Sequence, residues 1–596
     1  ELLWSYDPDV RAASSRGCCG PVSRGVAVAG GRVFLGALDG RLIALDAATG
    51  AVAWQVQTVD QADRLAVNYT ITGAPRVVKD MVLIGNGGAE FGARGFVTAY
   101  SVADGSQRWR FYTVPGDPAV PDNAASDSAM EMARETWAGE YWRYGGGGTA
   151  WDAIEYDPEL NMVYIGTGNG SPWNHQMRSN GEGDNLFLSS IVAVDADSGQ
   201  YRWHFQTTPA DSWDYTATQN MVMADLEIDG QPRHVLMQAP KNGFFYVLDR
   251  ETGEFISGTN FVDVTWATGL HPQTGRPQEV PSARYYRTGQ PSFQFPSSGG
   301  GHNWPPMAFS PRTGLVYIPA QDVGMPYAPA DEQQVVGAYT SGVAMNAGGA
   351  MTAEDRAALY AGMKGYLIAW DPVHQREAWR VDQQAPFNGG VLATGGGLVF
   401  AGNTARELVA YDESTGERLW AFDAQTGVLA PPITYAMDGK QYVAVMAGWG
   451  GGWPLTGGVM ALQAGESIGP NRLLVFALDG QASLPPYERP QRPQQAIVDA
   501  PMPAADALRG NPLYARFCLR CHGTGVVSAG AYPDLRLSPV VMSEAFRSVV
   551  LDGALASRGM PSFEGQLTPA QVEAIRAFIA QRSYEDFGPA AQATGN

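Results

Sequence analysis

One repeated spacing constrains this chain more than any other feature. Strand-like apolar runs end in Asp, with Gly four residues later and Trp four residues after that. Asp46, Gly50 and Trp54 fit, as do Asp195, Gly199 and Trp203, and Asp412, Gly416 and Trp420. Ser101, Gly105 and Trp109 keep the spacing without the Asp, Asp371, Gln375 and Trp379 lack the Gly, and Asp249 and Gly253 lack the Trp. The stretch 473–480 ends in Leu478-Asp479-Gly480. Each copy reads as a strand, a tight turn and a returning strand whose Trp packs on a neighbouring sheet. Such a unit cannot bury its own apolar face, so the copies must stack. Alternating runs such as Met162 to Gly166 and Leu315 to Pro319 supply further strands, and four-stranded blades of a β-propeller follow. Glu1-Leu2-Leu3-Trp4 reads as the tail of the same repeat. The chain is therefore expected to begin inside a blade, truncated at its N-terminus, with a signal peptide and the first strands before residue 1.

Composition agrees with this reading and bounds the rest. A length of 596 residues predicts at least two domains. The 72 Gly and 16 Trp suit short strands and tight turns better than helices. A formal net charge of −20 repels phosphate backbones, so nucleic acid is excluded as a partner. An acidic surface fits a positively charged redox partner, and equally serves solubility. No run of about 18 apolar residues exists to span a membrane as a helix.

From Leu484 to Pro503 the composition shifts to Pro and Gln, which marks a semi-rigid linker. The expected domains are a propeller over 1–483, the linker over 484–503 and a small all-α domain over 504–596. Thr568-Pro569-Ala570-Gln571 is a capping box opening a helix to about Arg582. Within this region Cys518-Leu519-Arg520-Cys521-His522 is the attachment motif of c-type heme. Its two thiols would form thioethers to the porphyrin while His522 ligates iron. Zinc would need a second Cys or His pair, and a thioredoxin-like site would need a βαβ unit; this region has neither. Met560, in Gly559-Met560-Pro561, resembles the Gly-Met-Pro loop of small cytochromes c and is the expected second axial ligand, with Met542 as its rival.

The two other cysteines, Cys18 and Cys19, are adjacent. Such a pair can close an eight-membered disulfide ring or stay as two buried thiols. Taken with the repeats and the heme motif, the chain resembles the quinohemoprotein kind of pyrroloquinoline quinone (PQQ)-dependent alcohol dehydrogenase, the soluble type II enzymes. The resemblance covers nearly the whole sequence. It implies an eight-bladed propeller, its first strands missing here, followed by the cytochrome c domain. It implies PQQ between a Cys18–Cys19 disulfide and Trp151, with contacts from Arg24, Thr72, Gly88, Ala89, Lys241, Asn303 and Trp304. A further family Glu that contacts PQQ would precede residue 1. Calcium ligands would be Glu90, Asn169 and Asp214, the oxygen donors this ion prefers. Lanthanide-using relatives carry an Asp where this chain has Thr216, which favours calcium. Asp214 matches the family's base, with Asp211 as a nearby alternative whose plainer role is to cap a loop.

The implied function is periplasmic oxidation of alcohols to aldehydes or ketones. Electrons would pass to heme c and then to a soluble copper protein or cytochrome. The alternative reading is the catalytic subunit of a membrane-bound alcohol dehydrogenase complex. The long insertion at 321–362, helical over Thr352 to Met363, is expected to shape the substrate pocket.

Overall fold

The computed structural model describes residues 2–20, 22–344, 358, 361–450, 468–488, 494–528 and 532–589. Six four-stranded antiparallel sheets span residues 27–57, 76–112, 154–206, 222–260, 308–383 and 391–423, and a three-stranded sheet spans 433–477. These are the seven blades of a propeller, each formed mainly from consecutive strands. Two short two-stranded sheets lie outside the blades. One, Ala267–Leu270 with Pro277–Glu279, sits in the connection between the fourth and fifth blades. The other pairs Ser292–Gln294 of that connection with Met325–Tyr327, which follows the fifth blade's second strand.

The repeat's physical basis is visible at each turn. Asp46 Oδ1 accepts the backbone N–H groups of Ala48 (3.1 Å) and Thr49 (2.9 Å), which caps the tight turn. Asp195, Asp249 and Asp412 do the same. The glycine that follows has left-handed backbone angles, with φ of +74° at Gly105, and a bare face. A Cβ there would lie 2.7 Å from the Trp54 ring of the preceding blade. Trp109 rests on Gly199, Trp203 on Gly253 and Trp379 on Gly416 in the same manner. The indole N–H groups of Trp54, Trp109 and Trp379 donate to carbonyls beside those turns. The Trp thus stitches the first blade to the second, the second to the third, the third to the fourth and the fifth to the sixth, which is why Asp, Gly and Trp recur together.

The expectation of eight blades is corrected to seven. The repeat, whole or degenerate, recurs once in each of the seven sheets; the number eight came from resemblance, with Glu1-Leu2-Leu3-Trp4 read as the tail of a further blade. Residues 2–10 form no strand. Trp4 instead docks on Gly50 and donates to the Ala47 carbonyl (3.0 Å), and with Tyr6 and Val10 it covers Ile43 and Leu45 of the first blade. At the other end of the series, the seventh blade packs Val445 and Leu474 on the sixth. Its opposite face leaves Ile433, Tyr435, Met437, Leu473 and Val475 exposed.

Antiparallel succession within each blade fixes which loops share an end. Connections from second to third strand, and from fourth strand to the next blade, open together; the Asp–Gly turns open at the other end. After residue 494 the chain runs beside the last helix, with the N–H of Ile497 on Ser583 Oγ (3.0 Å) and that of Met502 on Gln581 Oε1 (2.9 Å). The helical module places helix Ala504–Phe517 across helix Pro569–Phe587. A Cβ on Gly510 would lie 2.0 Å from the Ala574 carbonyl oxygen, so the helices touch backbone to backbone. Thr568 and Gln571 form the expected capping box, and the helix runs five residues past Arg582. Most of the segment expected to be helical, Thr352 to Met363, lies outside the described residues.

Candidate cofactor, metal and heme sites

At the end of the propeller opposite the Asp–Gly turns, loops from several blades line a cavity of ≈ 410 Å³. One wall is organised by Arg24. Its Nη1 donates to Thr72 Oγ1 (2.6 Å), and its guanidinium carbon lies 4.5 Å from the Trp151 ring centroid and 5.5 Å from that of Trp304. Arg24 Nε is buried without an acceptor, and the nearest carboxylate, Asp152, is 3.9 Å away. Burial lowers the pKa of Arg24, with Asp152 opposing, and burial raises that of Asp152. Cys18 and Cys19 are paired with each other on the same cavity wall, just after a 3-10 helix at Arg11–Arg16. Gly88 and Asn303 also line the cavity; Ala89 is buried behind it. Asn303 donates to the Gly299 carbonyl (2.7 Å) and accepts the Trp304 N–H (2.8 Å).

A second cluster gathers the acidic groups. Glu90 sits on a short turn, Ala89–Phe91, and its Oε1 accepts from Asn169 Nδ2 (3.0 Å) and the Trp173 indole (3.3 Å). Asp214 holds left-handed backbone angles (φ +67°), which its short polar side chain tolerates, and Oδ2 accepts from Lys241 Nζ at 2.9 Å. Burial pushes the Asp214 carboxyl well above its ordinary pKa; Lys241 opposes this, while Glu90 and Asp211 add to it. Asp211 is a different kind of residue. Its Oδ1 accepts the N–H groups of Trp213 (3.1 Å) and Tyr215 (3.0 Å), so it shapes the loop that presents Asp214. Asp211 does not line the cavity, whereas Glu90, Asn169, Asp214 and Lys241 do. Among the described residues no group of three His, Cys, Asp or Glu side chains is placed to hold a metal, so a cation here would draw on the Asn169 amide as well.

In the helical module, Cys518 precedes the short helix Leu519–His522 as its N-cap, Cys521 lies within that helix, and neither is in a disulfide. His522 is buried, with Nδ1 facing the Pro533 carbonyl at 3.2 Å, a contact that fixes the ring's orientation. Met560 packs half-buried against the core that contains Cys518 and Phe563, whereas Met542 is 40% exposed. Leu519 and Arg520 of the heme motif roof the propeller cavity.

Comparison with known proteins agrees with both halves of this geometry. Residues 1–287 and 349–443 match the glucose/ethanol/alcohol dehydrogenase β-propeller domain. Residues 505–579 match the cytochrome C oxidase, cbb3-type, subunit III family. A quinohemoprotein alcohol dehydrogenase of Pseudomonas putida is 51% identical over 98% of this chain and 83% of its own length. The chain belongs to the quinohemoprotein alcohol dehydrogenases. The dehydrogenase subunit of a quinone alcohol dehydrogenase of Komagataeibacter europaeus is 48% identical, over 98% of this chain and 81% of the relative. The solved structure of a second Pseudomonas putida quinohemoprotein alcohol dehydrogenase superposes with a TM-score of 0.91 at 47% identity, over 98% of this chain and 85% of that one.

As a quinohemoprotein dehydrogenase the chain uses PQQ and heme c, and its residues fit both. A buried guanidinium with an unused N–H, placed by two indoles, suits a planar polycarboxylate. Two free thiols on one helical turn beside a buried, oriented His suit a covalent heme. Sequence reasoning did not single out Thr149, Trp173, Tyr339 or Arg520 on the cavity wall, although it expected the insertion that carries Tyr339 to shape the pocket. Thr149 and Trp173 stand in unremarkable loops, although Trp173 donates to Glu90. Tyr339 comes from the insertion, whose Gly337 and Thr340 N–H groups bond to the carbonyls of Phe91 and Glu90. Arg520 lay in view inside the heme motif, but nothing in the spacing said it would reach the propeller.

Proposed function

We propose that this enzyme oxidises alcohols to aldehydes or ketones with PQQ and one calcium ion, and hands electrons through heme c to a soluble carrier in the periplasm. When bound, PQQ would supply a two-electron oxidant, and calcium held by Glu90, Asn169 and Asp214 would act beside it as a Lewis acid. The protein's own part is to bind, orient and deprotonate. Glu90, Asn169 and Asp214 are the calcium ligands; the Asn169 amide must turn over to offer its oxygen in place of the N–H now given to Glu90. Thr216 supports calcium, since its buried hydroxyl accepts from Thr218 (2.9 Å) and Gln219 (3.3 Å) and adds no charge to the site.

Asp214 is the base. With Oδ2 occupied by Lys241, the alcohol proton goes to the other carboxylate oxygen. Lys241 holds Asp214 in place and, lining the same cavity, would supply a cation to the bound cofactor. Arg24, Thr72 and the Asn303–Trp304 segment anchor the cofactor, while the Cys18–Cys19 disulfide and Trp151 enclose it. Gly88 lets the backbone approach. Cys518, Cys521, His522 and Met560 hold the heme. Heme attachment and a disulfide both belong to an oxidising compartment, which supports a periplasmic location. Among the described residues no helix is long and apolar enough to cross a membrane.

The observation that carries the reading is the single cavity shared by Glu90, Asn169, Asp214 and Lys241 with Cys18, Cys19, Arg24 and Trp151. The test is turnover of the protein reconstituted with PQQ and calcium, across primary, secondary and polyol alcohols. Asp214→Asn must lose turnover while still taking up PQQ; a variant with full activity removes Asp214 as the base.

A further inference from the structure

Arg178 is 2% exposed and lies off the cavity, yet it touches both sides of the acidic cluster from below. Its Nη1 donates to the carbonyls of Pro172 (2.6 Å) and Trp173 (2.9 Å), and its Nη2 to that of Asp211 (2.8 Å). Nε donates to Asn185 Oδ1 at 3.0 Å. The guanidinium also lies under Gly170, where a Cβ would come within 2.3 Å of Nη1. Apart from Asn185, the contacted segments carry or adjoin members of the cluster. Gly170 follows Asn169, Trp173 donates its indole N–H to Glu90, and Asp211 caps the turn that presents Asp214.

We propose that Arg178 is a positioning residue for calcium: one rigid guanidinium fork fixes the spacing between the Asn169–Trp173 segment and the Asp211–Asp214 loop. The inference rests on the calcium reading above. Its physical basis is the number of fixed directions. A planar guanidinium offers five N–H donors in one rigid frame, so carbonyls from two separate segments are locked to a common plane. The cation is buried among carbonyls and an amide oxygen. Burying a charge in this way is costly to assemble, and for buried charged networks an apolar replacement of similar volume is often neutral or stabilising for the fold. Without the fork the two segments still fold as parts of their blades, but the distance between Glu90 and Asp214 is no longer set. Calcium affinity falls because the ligands must be ordered as the ion binds.

The test uses the full chain carrying heme and PQQ, stripped of metal with a chelator and titrated with calcium by calorimetry. Arg178→Lys keeps the charge and loses the fork. It should weaken calcium binding by about 10–100-fold, the usual scale for groups that orient metal ligands. Gly170→Ala keeps Arg178 but pushes the guanidinium aside, and should weaken binding in the same direction by less. It stands as the deciding variant if Arg178→Lys does not fold, since Gly170 has ordinary backbone angles that Ala can adopt. In both variants, activity lost at limiting calcium should return at saturating calcium with the alcohol KM unchanged. Calcium affinity within about twofold of the parent in both variants, or lost activity that calcium does not restore, overturns the proposal and leaves Arg178 a structural residue. If the parent protein itself binds no calcium, the reading of Glu90, Asn169 and Asp214 as metal ligands fails first, and the inference falls with it.

Discussion

The propeller and the helical module solve the same problem, holding a redox group, in opposite ways. The helical site is local: Cys518, Cys521 and His522 fall within five residues on one turn, and Met560 comes from a single loop. The propeller site is dispersed, drawing Arg24, Glu90, Asp214, Lys241 and Asn303 from loops of different blades. Charge divides the same way. Residues 504–596 contain eight Arg, no Lys, four Asp and four Glu and are neutral, so the net −20 belongs to residues 1–503. The difference teaches that a covalent cofactor needs only a short motif, whereas a reversibly bound cofactor needs a scaffold that preorders distant loops. Buried cross-links supply that order here. Asp211 caps the Asp214 loop, Lys241 is fixed on Asp214, and the Trp–Gly contacts hold blade to blade.

That contrast can be broken by experiment. Asp214→Asn should lower kcat by about 10²–10⁴-fold, the usual contribution of a general base, and leave the heme spectrum unchanged. A changed heme spectrum would show that the two sites are not separate. Trp109→Ala removes one blade-to-blade contact and should cost about 3–5 kcal/mol in thermal unfolding of the propeller. The loss of heme absorbance on heating should stay at its original temperature. Gly510→Ala is the converse: its Cβ meets the Ala574 carbonyl, and about 1–3 kcal/mol should be lost from the helical module alone.

The smallest expected effect concerns Glu155, on the first strand of the third blade. Burial raises its carboxyl to about 7, with Arg76 opposing and Asp152 adding to the rise. The folded chain therefore binds this proton more tightly than the unfolded one, and stability is lost as pH rises from about 4.5 to about 7. Glu155→Gln should leave thermal stability unchanged below that window. Above it, the variant should gain about 1 kcal/mol, after allowance for partial solvation. Equal melting curves for parent and variant at pH 8 would remove Glu155 from the account.

The parts of the molecule readable in advance were those in which chemistry and spacing coincide. The Asp–Gly–Trp repeat implied stacked blades because a capped turn, a bare glycine and an indole must sit at fixed separations to dock. The heme motif was readable because thioether attachment and iron ligation occupy one helical turn. The separation of Asp214 from Asp211 rested on resemblance, since two carboxylates three residues apart look alike until backbone N–H groups are seen to bond one of them. The blade count failed for a related reason: Trp4 satisfies the docking rule with no strand around it.

The order of residues by itself determined that this chain stacks β-sheets, ends in helices and carries a covalent heme, because each of those follows from contacts between near neighbours. Only the tertiary structure decided that there are seven blades and that Arg520 of the heme motif meets the propeller wall. It also decided that Arg178, Trp173 and Tyr339 belong to the acidic cluster's surroundings. These last are long-range contacts, set by how far each loop extends and what it meets, and no local spacing encodes that.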